Sequence, residues 1–178
     1  MEFRWRVLPR EWKSGQPKLS KFKCLRGYWG LLGGFLRRVE VLDWKSGWSS
    51  WPYHKIPQQT CAFHKCHSNT LLHVYYSGNI RISGCSQCCN RWYFTFNHAE
   101  CSSPGAIDAA LYQAHAGNLN KHEHGHIEGY CGGIPAGNVE VKINVGECVG
   151  TGQALGNAYT GFGSTSRIFV EEVSPSDQ

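Results

Sequence analysis

Every second residue between positions 138 and 146 is aliphatic, and the residues between them are mostly polar. The aliphatic positions are Val139, Val141, Ile143 and Val145. Successive side chains of a β-strand point to opposite faces of a sheet, so this alternation places all four on one face. The pattern predicts a half-buried strand of an antiparallel sheet.

Residues 91–97 form a second alternating segment, with large rings at every second position. Trp92, Phe94 and Phe96 occupy one face, and Tyr93 adds a ring to the other. Aromatic residues are typical of strands. Because both faces have aromatic residues, we expect a strand that is covered on both sides, as in the core of a sandwich.

Other segments of strand length recur along the chain, with turn residues between them. The further predicted strands are residues 61–65, 71–76, 80–83, 106–115, 121–130 and 167–173. Ser-Gly-Asn at residues 77–79 predicts a tight hairpin turn, and residues 149–163 read as a glycine-rich loop. Residues 25–42 fit either a short helix or an edge strand. About nine or ten short strands predict an all-β, antiparallel β-sandwich or jelly roll.

Composition agrees with this fold class. The 178 residues include 21 glycines, aromatic residues make up 13% and charged residues only 17%. Such a chain suits one β-rich domain with many turns better than a helical bundle.

The nine cysteines change the picture, because cytosolic proteins rarely contain so many without metal or redox chemistry. They predict an extracellular, disulfide-stabilised protein. An odd number leaves one cysteine as a thiol or bonded to another chain. Cys88 and Cys89 need different partners, because neighbouring side chains of an extended segment point in opposite directions.

Positive charge is concentrated at the start of the chain. Residues 1–45 contain eleven Lys and Arg against four Asp and Glu, whereas residues 46–178 contain seven against nine. The second part is close to neutral, which argues against a nucleic-acid surface there. We expect residues 1–43 to be a flexible basic segment, favouring a solvated tail over an arm that binds glycosaminoglycans, and residues 44–178 to form the folded domain.

The first 20 residues contain no apolar run of signal-peptide length, and no later segment approaches a transmembrane span. We therefore expect no membrane insertion. Because the cysteines predict secretion while no export signal is visible, we expect the chain to be a fragment or to have an incomplete N-terminus.

The residues with the most metal-like pattern are His122, His124 and His126. On a strand they would share one face, where three imidazoles could bind zinc. Calcium is the other metal considered. The alternative, which we favour, is a polar strand that faces solvent and needs no cofactor.

Cys85 and Cys88 have the spacing of a redox or zinc-binding pair. A thioredoxin-type pair lies in an α/β pattern, and a zinc site usually needs a second cysteine pair with suitable spacing. Neither accompanies this pair in the sequence, so we favour a disulfide. Hydrolase, phosphate-loop and dinucleotide motifs are also absent, so we predict no catalytic residue and no enzyme.

Three tryptophans, Trp44, Trp48 and Trp51, lie within eight residues. They predict an aromatic cap over the core. In the functional alternative, Trp48 and Trp51 are ligand-binding residues that stack on sugar rings.

A family resemblance begins with the run CCNRWYFTFNHAEC at residues 88–101. This run resembles the C-terminal domain of the collagen triple helix repeat-containing protein family, secreted matrix proteins that modulate Wnt signalling. Further segments similar to that domain are residues 68–82, 126–137, 138–148 and 164–172. The resemblance covers residues 44–178 and extends weakly to Cys24. The chain has no Gly-x-y repeat, which a collagen stalk would require.

The resemblance implies a jelly-roll head similar to complement-q and tumour-necrosis-factor-like heads, assembled as a homotrimer. It also implies an extracellular location and partners among matrix proteins or Wnt-pathway receptors. With it we expect Cys24 to link chains and eight cysteines to form intrachain bonds: Cys61, Cys66, Cys85, Cys88, Cys89, Cys101, Cys131 and Cys148.

We therefore expect a secreted, non-enzymatic module that self-associates and binds matrix or receptor proteins. One alternative is a lectin-like domain that binds carbohydrate through Trp48 and Trp51, with or without a metal. Another is a zinc enzyme at the three histidines.

Overall fold

The computed structural model describes residues 39–45, 59–114, 120–161 and 163–175, and for residues 39–45 and 59 it describes the backbone alone. Its ten named elements are all β-strands. They are β1 (Val39–Lys45), β2 (Gln59–Lys65), β3 (Leu71–Ser83), β4 (Cys88–Phe96), β5 (Ala99–Glu100), β6 (Asp108–Gln113), β7 (Asn120–Cys131), β8 (Gly137–Glu147), β9 (Asn157–Thr160) and β10 (Thr165–Val173).

The strands form two five-stranded sheets. The front sheet has the order β1-β10-β3-β7, with β9 also paired to β3, and the back sheet has the order β2-β8-β4-β5, with β6 also paired to β4. All pairings between these strands are antiparallel. The predicted all-β, antiparallel fold class is therefore confirmed.

One hydrophobic core lies between the two sheets, because every second residue of the central strands points inward. From the front sheet the core takes Leu72, Val74, Tyr76, Ile80, Ile82, Ile127, Ile168 and Val170. From the back sheet it takes Cys61, Phe63, Trp92, Phe94, Phe96, Leu111, Val139, Val141 and Ile143. The buried indole N–H of Trp92 donates to the hydroxyl of Thr160 at 2.9 Å, which bonds β4 of the back sheet to β9 of the front sheet.

The hairpin turn predicted at residues 77–79 is wrong. Leu71–Ser83 is one continuous strand, and its inward positions alternate without interruption through Gly78. The glycine is needed here for space, since a β-carbon would lie 2.6 Å from the β-carbon of Ser166. Close approach of another side chain is a known reason for glycine inside a strand, and it looks like a turn signal in the sequence.

A tight turn joins β4 to β5. Phe96 and Ala99 are paired, so Asn97 and His98 form a two-residue hairpin loop, and both have positive φ, 48° and 73°. These are the angles of a type I′ turn, the connection that fits the twist of a hairpin. The short strand β5 after it was not predicted, nor was β9, which lies in the segment expected to be loop.

β4 is covered on only one side, contrary to the expectation from its aromatic pattern. Trp92 and Phe94 are fully buried against the other sheet, whereas Arg91 and Tyr93 are only partly buried on the outer face of the back sheet. The guanidinium of Arg91 lies 4.6 Å from the centre of the Tyr93 ring and bonds to the carboxylates of Glu100 and Asp108. The outer ring is therefore covered by side chains of its own sheet rather than by another layer. Its two carboxylate partners raise the pKa of Arg91.

The boundary predicted between residues 43 and 44 falls inside β1. This strand pairs with β10 from Val39, opposite Glu171, to Lys45, opposite Thr165. The front sheet thus includes residues that the sequence interpretation assigned to the basic segment. The rest of that segment lies outside the described residues.

Candidate interaction surface

The outer face of the front sheet is a grid of polar and aromatic side chains. The sheet register aligns residues of β10, β3 and β7 in rows, because outward positions alternate along each strand. The rows are Glu171–His73–Tyr130, Phe169–Tyr75–Glu128 and Arg167–Ser77–His126. We call His73, Tyr75, His126, Glu128, Tyr130, Phe169 and Glu171 the front-face patch.

Two pairs of stacked rings lie within the patch. The rings of Tyr75 and Phe169 stack with centroids 4.1 Å apart and planes 13° apart. The rings of His73 and Tyr130 stack at 4.5 Å and 15°. Neighbouring positions across paired strands are close enough for such contacts, so the register itself produces both stacks.

Glu128 lies between two histidines of the patch. One of its carboxylate oxygens lies 2.7 Å from Nε2 of His73, and the other lies 2.9 Å from Nε2 of His126. These two histidine hydrogen bonds, that of His126 foremost, lower the pKa of Glu128. Nδ1 of His73 faces the carboxylate of Glu171 at 3.5 Å, so this imidazole has a carboxylate beside each ring nitrogen.

The three histidines predicted to bind a metal share the outer face of β7, as alternate residues of a strand do. They do not converge, however, because alternate residues are separated by about 7 Å along a strand. Their neighbours differ: His122 faces the side-chain oxygen of Asn79 at 3.4 Å, His124 faces the hydroxyl of Ser77 at 3.4 Å, and His126 binds Glu128.

Within the described part of the chain, no group of three or more His, Cys, Asp or Glu residues is arranged to hold a metal ion. The three histidines thus have different partners, two on β3 and one on β7 itself, and metal binding at these residues stays a prediction.

Below the patch, the same face continues with a cation over an aromatic ring. The guanidinium of Arg81 lies 4.6 Å from the centre of the Tyr159 ring and donates to the side-chain oxygen of Asn120 at 2.5 Å. Arg81 is on β3 and Tyr159 is on β9, which pairs with β3. The contact therefore extends the polar and aromatic outer face of the front sheet toward β9.

Three disulfides join pairs of described cysteines. They join Cys85 to Cys88, Cys89 to Cys148, and Cys101 to Cys131. Cys88 and Cys89 have different partners, as the geometry of an extended segment requires. The second bond links β4 to the end of β8, and the third links the segment after β5 to the end of β7.

The remaining two intrachain candidates differ from each other. Cys66 is disulfide-bonded. Cys61 is instead a buried thiol, at an inward position of β2 where it packs in the core. The expectation of a bridge at Cys61 is corrected accordingly. The predicted interchain cysteine Cys24 and the predicted sugar-stacking residues Trp48 and Trp51 lie outside the described residues.

Sequence reasoning missed the residues that build the patch. His73 and Tyr75 were assigned to a strand, but the false turn at residues 77–79 broke β3 and concealed that its outward positions continue beside β7. The signal was present as an alternation of inward aliphatic and outward polar or aromatic residues from position 71 to 83. The pairing with Phe169 and Glu128 depends on register between distant segments, which the sequence alone does not state.

A protein-family model matches most of the chain. The family model described as "CTHRC1, C-terminal domain" matches residues 37–170. The chain belongs to the CTHRC1 C-terminal domain family. The match begins two residues before β1, and it confirms the resemblance to the collagen triple helix repeat-containing protein family that the cysteine-rich run indicated.

Membership in the CTHRC1 C-terminal domain family fits an extracellular matrix module, and the disulfides fit an extracellular protein. The family is one of non-enzymatic matrix proteins. In the residues that the structure describes, no helix has the length and hydropathy to cross a membrane.

Proposed function

We propose that this domain is a secreted signalling and matrix module that assembles into a homotrimer through the outer face of its front sheet. In this proposal the trimer binds matrix proteins or receptors of the Wnt pathway. The observation that supports it most is the stack of Tyr75 on Phe169, two aromatic rings on the outer face of a sheet.

Aromatic side chains on a protein surface favour association, because they bury much apolar area at little cost in side-chain entropy. The stacks already fix four of the five rings of the front-face patch, so association freezes few rotatable bonds. A face made of paired strands is also rigid, which suits a surface that must match a copy of itself.

The polar residues of the face fit a homomeric partner. Glu128 and Glu171 supply negative charge, and Arg167 in the next row supplies positive charge. In a cyclic assembly the contact is heterologous, so a carboxylate of one copy can meet a guanidinium of the next. A trimer is chosen because the family resemblance implies trimeric heads of the complement-q and tumour-necrosis-factor-like type.

Light scattering of the purified chain, with and without reductant, tests the assembly. The expected result is the mass of three chains under both conditions, since the proposed interface does not depend on a disulfide. A monomer in the absence of reductant contradicts the assembly. A trimer that reductant converts to monomer means that disulfides, and not the front sheet, hold the chains together.

A matched pair of variants locates the interface. Tyr130 and Tyr112 are both exposed tyrosines on strands, but Tyr130 lies in the front-face patch and Tyr112 on β6 of the back sheet. Tyr130→Ser should shift the mass toward the monomer, whereas Tyr112→Ser should leave the trimer intact. Equal effects of both changes, or an effect of Tyr112→Ser alone, would move the interface away from the front sheet.

Binding of matrix or receptor proteins is tested by comparing the trimer with the Tyr130→Ser monomer. Immobilised collagenous matrix and a Wnt-receptor ectodomain serve as the two surfaces. If three weak sites act together, the trimer should dissociate from one of them at least 100-fold more slowly than the monomer. No binding of either form to either surface contradicts this part of the proposal.

A further inference from the structure

The disulfide between Cys85 and Cys88 joins two residues that differ in exposure. Cys88 is fully buried, whereas Cys85 is partly exposed and sits between exposed residues of the loop that joins β3 to β4. Thiol–disulfide exchange is an attack on one sulfur in which the other leaves, so we take Sγ of the partly exposed Cys85 as the site of attack and Sγ of the buried Cys88 as the leaving group.

The bond also supports a neighbouring loop. A β-carbon on Gly156 would lie 2.7 Å from Sγ of Cys85 and 2.8 Å from Sγ of Cys88, so the segment before β9 packs directly on the two sulfurs. The amide of Gly156 donates to the side-chain oxygen of Asn90 at 2.9 Å, and the amide of Cys89 donates to the carbonyl of Ala154 at 3.1 Å.

We propose that the Cys85–Cys88 bond is a thiol-exchange site, reduced selectively by a dithiol, and that its reduction loosens residues 148–156. The chain is the substrate of this reaction and not its catalyst. This inference does not depend on the proposed assembly, because neither cysteine lies on the front-face patch.

The reaction has two steps. A thiolate of the dithiol attacks Sγ of Cys85, the Cys85–Cys88 bond breaks, and Cys88 leaves as a thiolate that takes a proton from water. The second thiolate of the dithiol then attacks the dithiol sulfur that is bonded to Cys85. This breaks the mixed disulfide and releases Cys85 as a thiolate. The dithiol is oxidised to a disulfide, and the two cysteines gain its two electrons.

The other two disulfides between described cysteines differ from this one in ways that favour selective reduction of Cys85–Cys88. Cys101 and Cys131 are both buried, so neither sulfur is open to attack. Cys89 and Cys148 also combine a buried and a partly exposed residue, but they flank the paired residues Asn90 and Glu147, and this strand pairing keeps their thiols together for reclosure. Cys85 instead lies in the loop that joins β3 to β4.

The first test uses the unmodified chain and dithiothreitol. Native protein is treated with increasing reductant, alkylated, digested and analysed by mass spectrometry. Cys85 and Cys88 should become labelled at a dithiothreitol concentration at least tenfold lower than Cys89, Cys148, Cys101 and Cys131 require. Labelling of Cys89 and Cys148 at the same or a lower concentration overturns the proposal, as does resistance of Cys85 and Cys88 until the fold is lost.

The second test measures hydrogen exchange of residues 148–156. In the selectively reduced and alkylated chain, and in the double variant Cys85→Ala with Cys88→Ala, the Gly156 amide should exchange at least tenfold faster than in the oxidised chain. Amides of β8 between residues 139 and 145 serve as the internal control and should keep their rates. Unchanged exchange at Gly156 contradicts the proposal that reduction loosens residues 148–156. Faster exchange throughout β8 contradicts the proposal that the effect is limited to those residues.

Discussion

Ser166 on β10 fills the space that glycine leaves at position 78 of β3. Its β-carbon lies 2.6 Å from the place where a β-carbon on residue 78 would stand, and the hydroxyl of Tyr76 lies 2.8 Å from the same place. Tyr76 also bonds Ser166 at 3.2 Å, and burial raises the pKa of Tyr76 to about 12. These three residues form one tightly packed unit inside the front sheet.

Gly78→Ala should therefore destabilise the domain, because neither Ser166 nor Tyr76 can withdraw without losing its own contacts. Overpacking of this kind costs about 1–3 kcal/mol. The free energy of unfolding in urea measures it, and Gly105→Ala is the matched control, since a β-carbon there meets no atom within 4 Å. Equal stability of the two variants would mean that β3 and β10 separate easily.

Thr160→Val should remove the bond between the sheets and leave the buried indole N–H of Trp92 without its acceptor. An unsatisfied buried donor costs about 1–3 kcal/mol. Urea unfolding followed by tryptophan fluorescence measures the loss, with Thr165→Val, an exposed position of β10, as the control. If Thr160→Val is as stable as the control, water or another group must satisfy the indole.

Glu172 fastens the turn between β2 and β3 to the end of β10. Its carboxylate accepts hydrogen bonds from the amides of Cys66 and His67 at 2.7 and 2.8 Å and from the hydroxyl of Thr70 at 2.6 Å. Burial opposes its charge, but these hydrogen bonds together outweigh burial and lower the pKa of Glu172. Nearby, burial lowers the pKa of Lys65, and the charge of Glu172 opposes that change.

Glu172→Gln should cost about 2 kcal/mol at pH 7, since hydrogen bonds to a charged group are lost. A carboxyl group with a lowered folded pKa stabilises the fold above its unfolded pKa of about 4.3 and loses that contribution as the pH falls through the folded value. The stability difference between wild type and variant should therefore shrink below about pH 4. Unfolding curves from pH 7 to pH 3 measure it, with the exposed Glu147→Gln as the control; a constant difference across this range contradicts the assignment.

His98→Gly should raise stability. His98 has a φ of 73° in the hairpin loop, a conformation that costs a residue with a β-carbon about 1–2 kcal/mol and that glycine adopts freely. Glycine costs some entropy in the unfolded chain, so the expected net gain is about 0.5 kcal/mol. The midpoint of urea unfolding measures it, and His67→Gly, at an exposed position with φ outside this region, should show no gain.

The fold class could be read from local patterns because strand alternation is a local property. The alternation around Val139 and Val141 predicted β8 almost to its ends, and the segment around Ile168 predicted most of β10. The turn prediction at Gly78 was wrong because glycine occurs both in turns and where another side chain packs closely. Only the contact with Ser166, far away in the sequence, shows that the second reason applies here. The short strands β5 and β9 have too few residues to show a period.

The front-face patch could not be predicted for a different reason. His73, Glu128 and Phe169 are close only because β3 pairs with β7 on one side and β10 on the other, which brings together residues almost 100 positions apart. The histidines of β7 were visible as a cluster, yet their roles follow from what faces them across the register. A pattern within one strand shows which side chains share a face, not what they meet there.

The pairing of β1 with β10 has a mechanical consequence. Val39 lies opposite Glu171, so the beginning of β1 and the end of β10 lie at the same end of the two paired strands. A force that pulls those two ends apart is perpendicular to the strands, so it breaks their hydrogen bonds one after another from that end. Tension applied through the chain would thus peel β1 away at low force while the disulfide-linked back sheet stays folded.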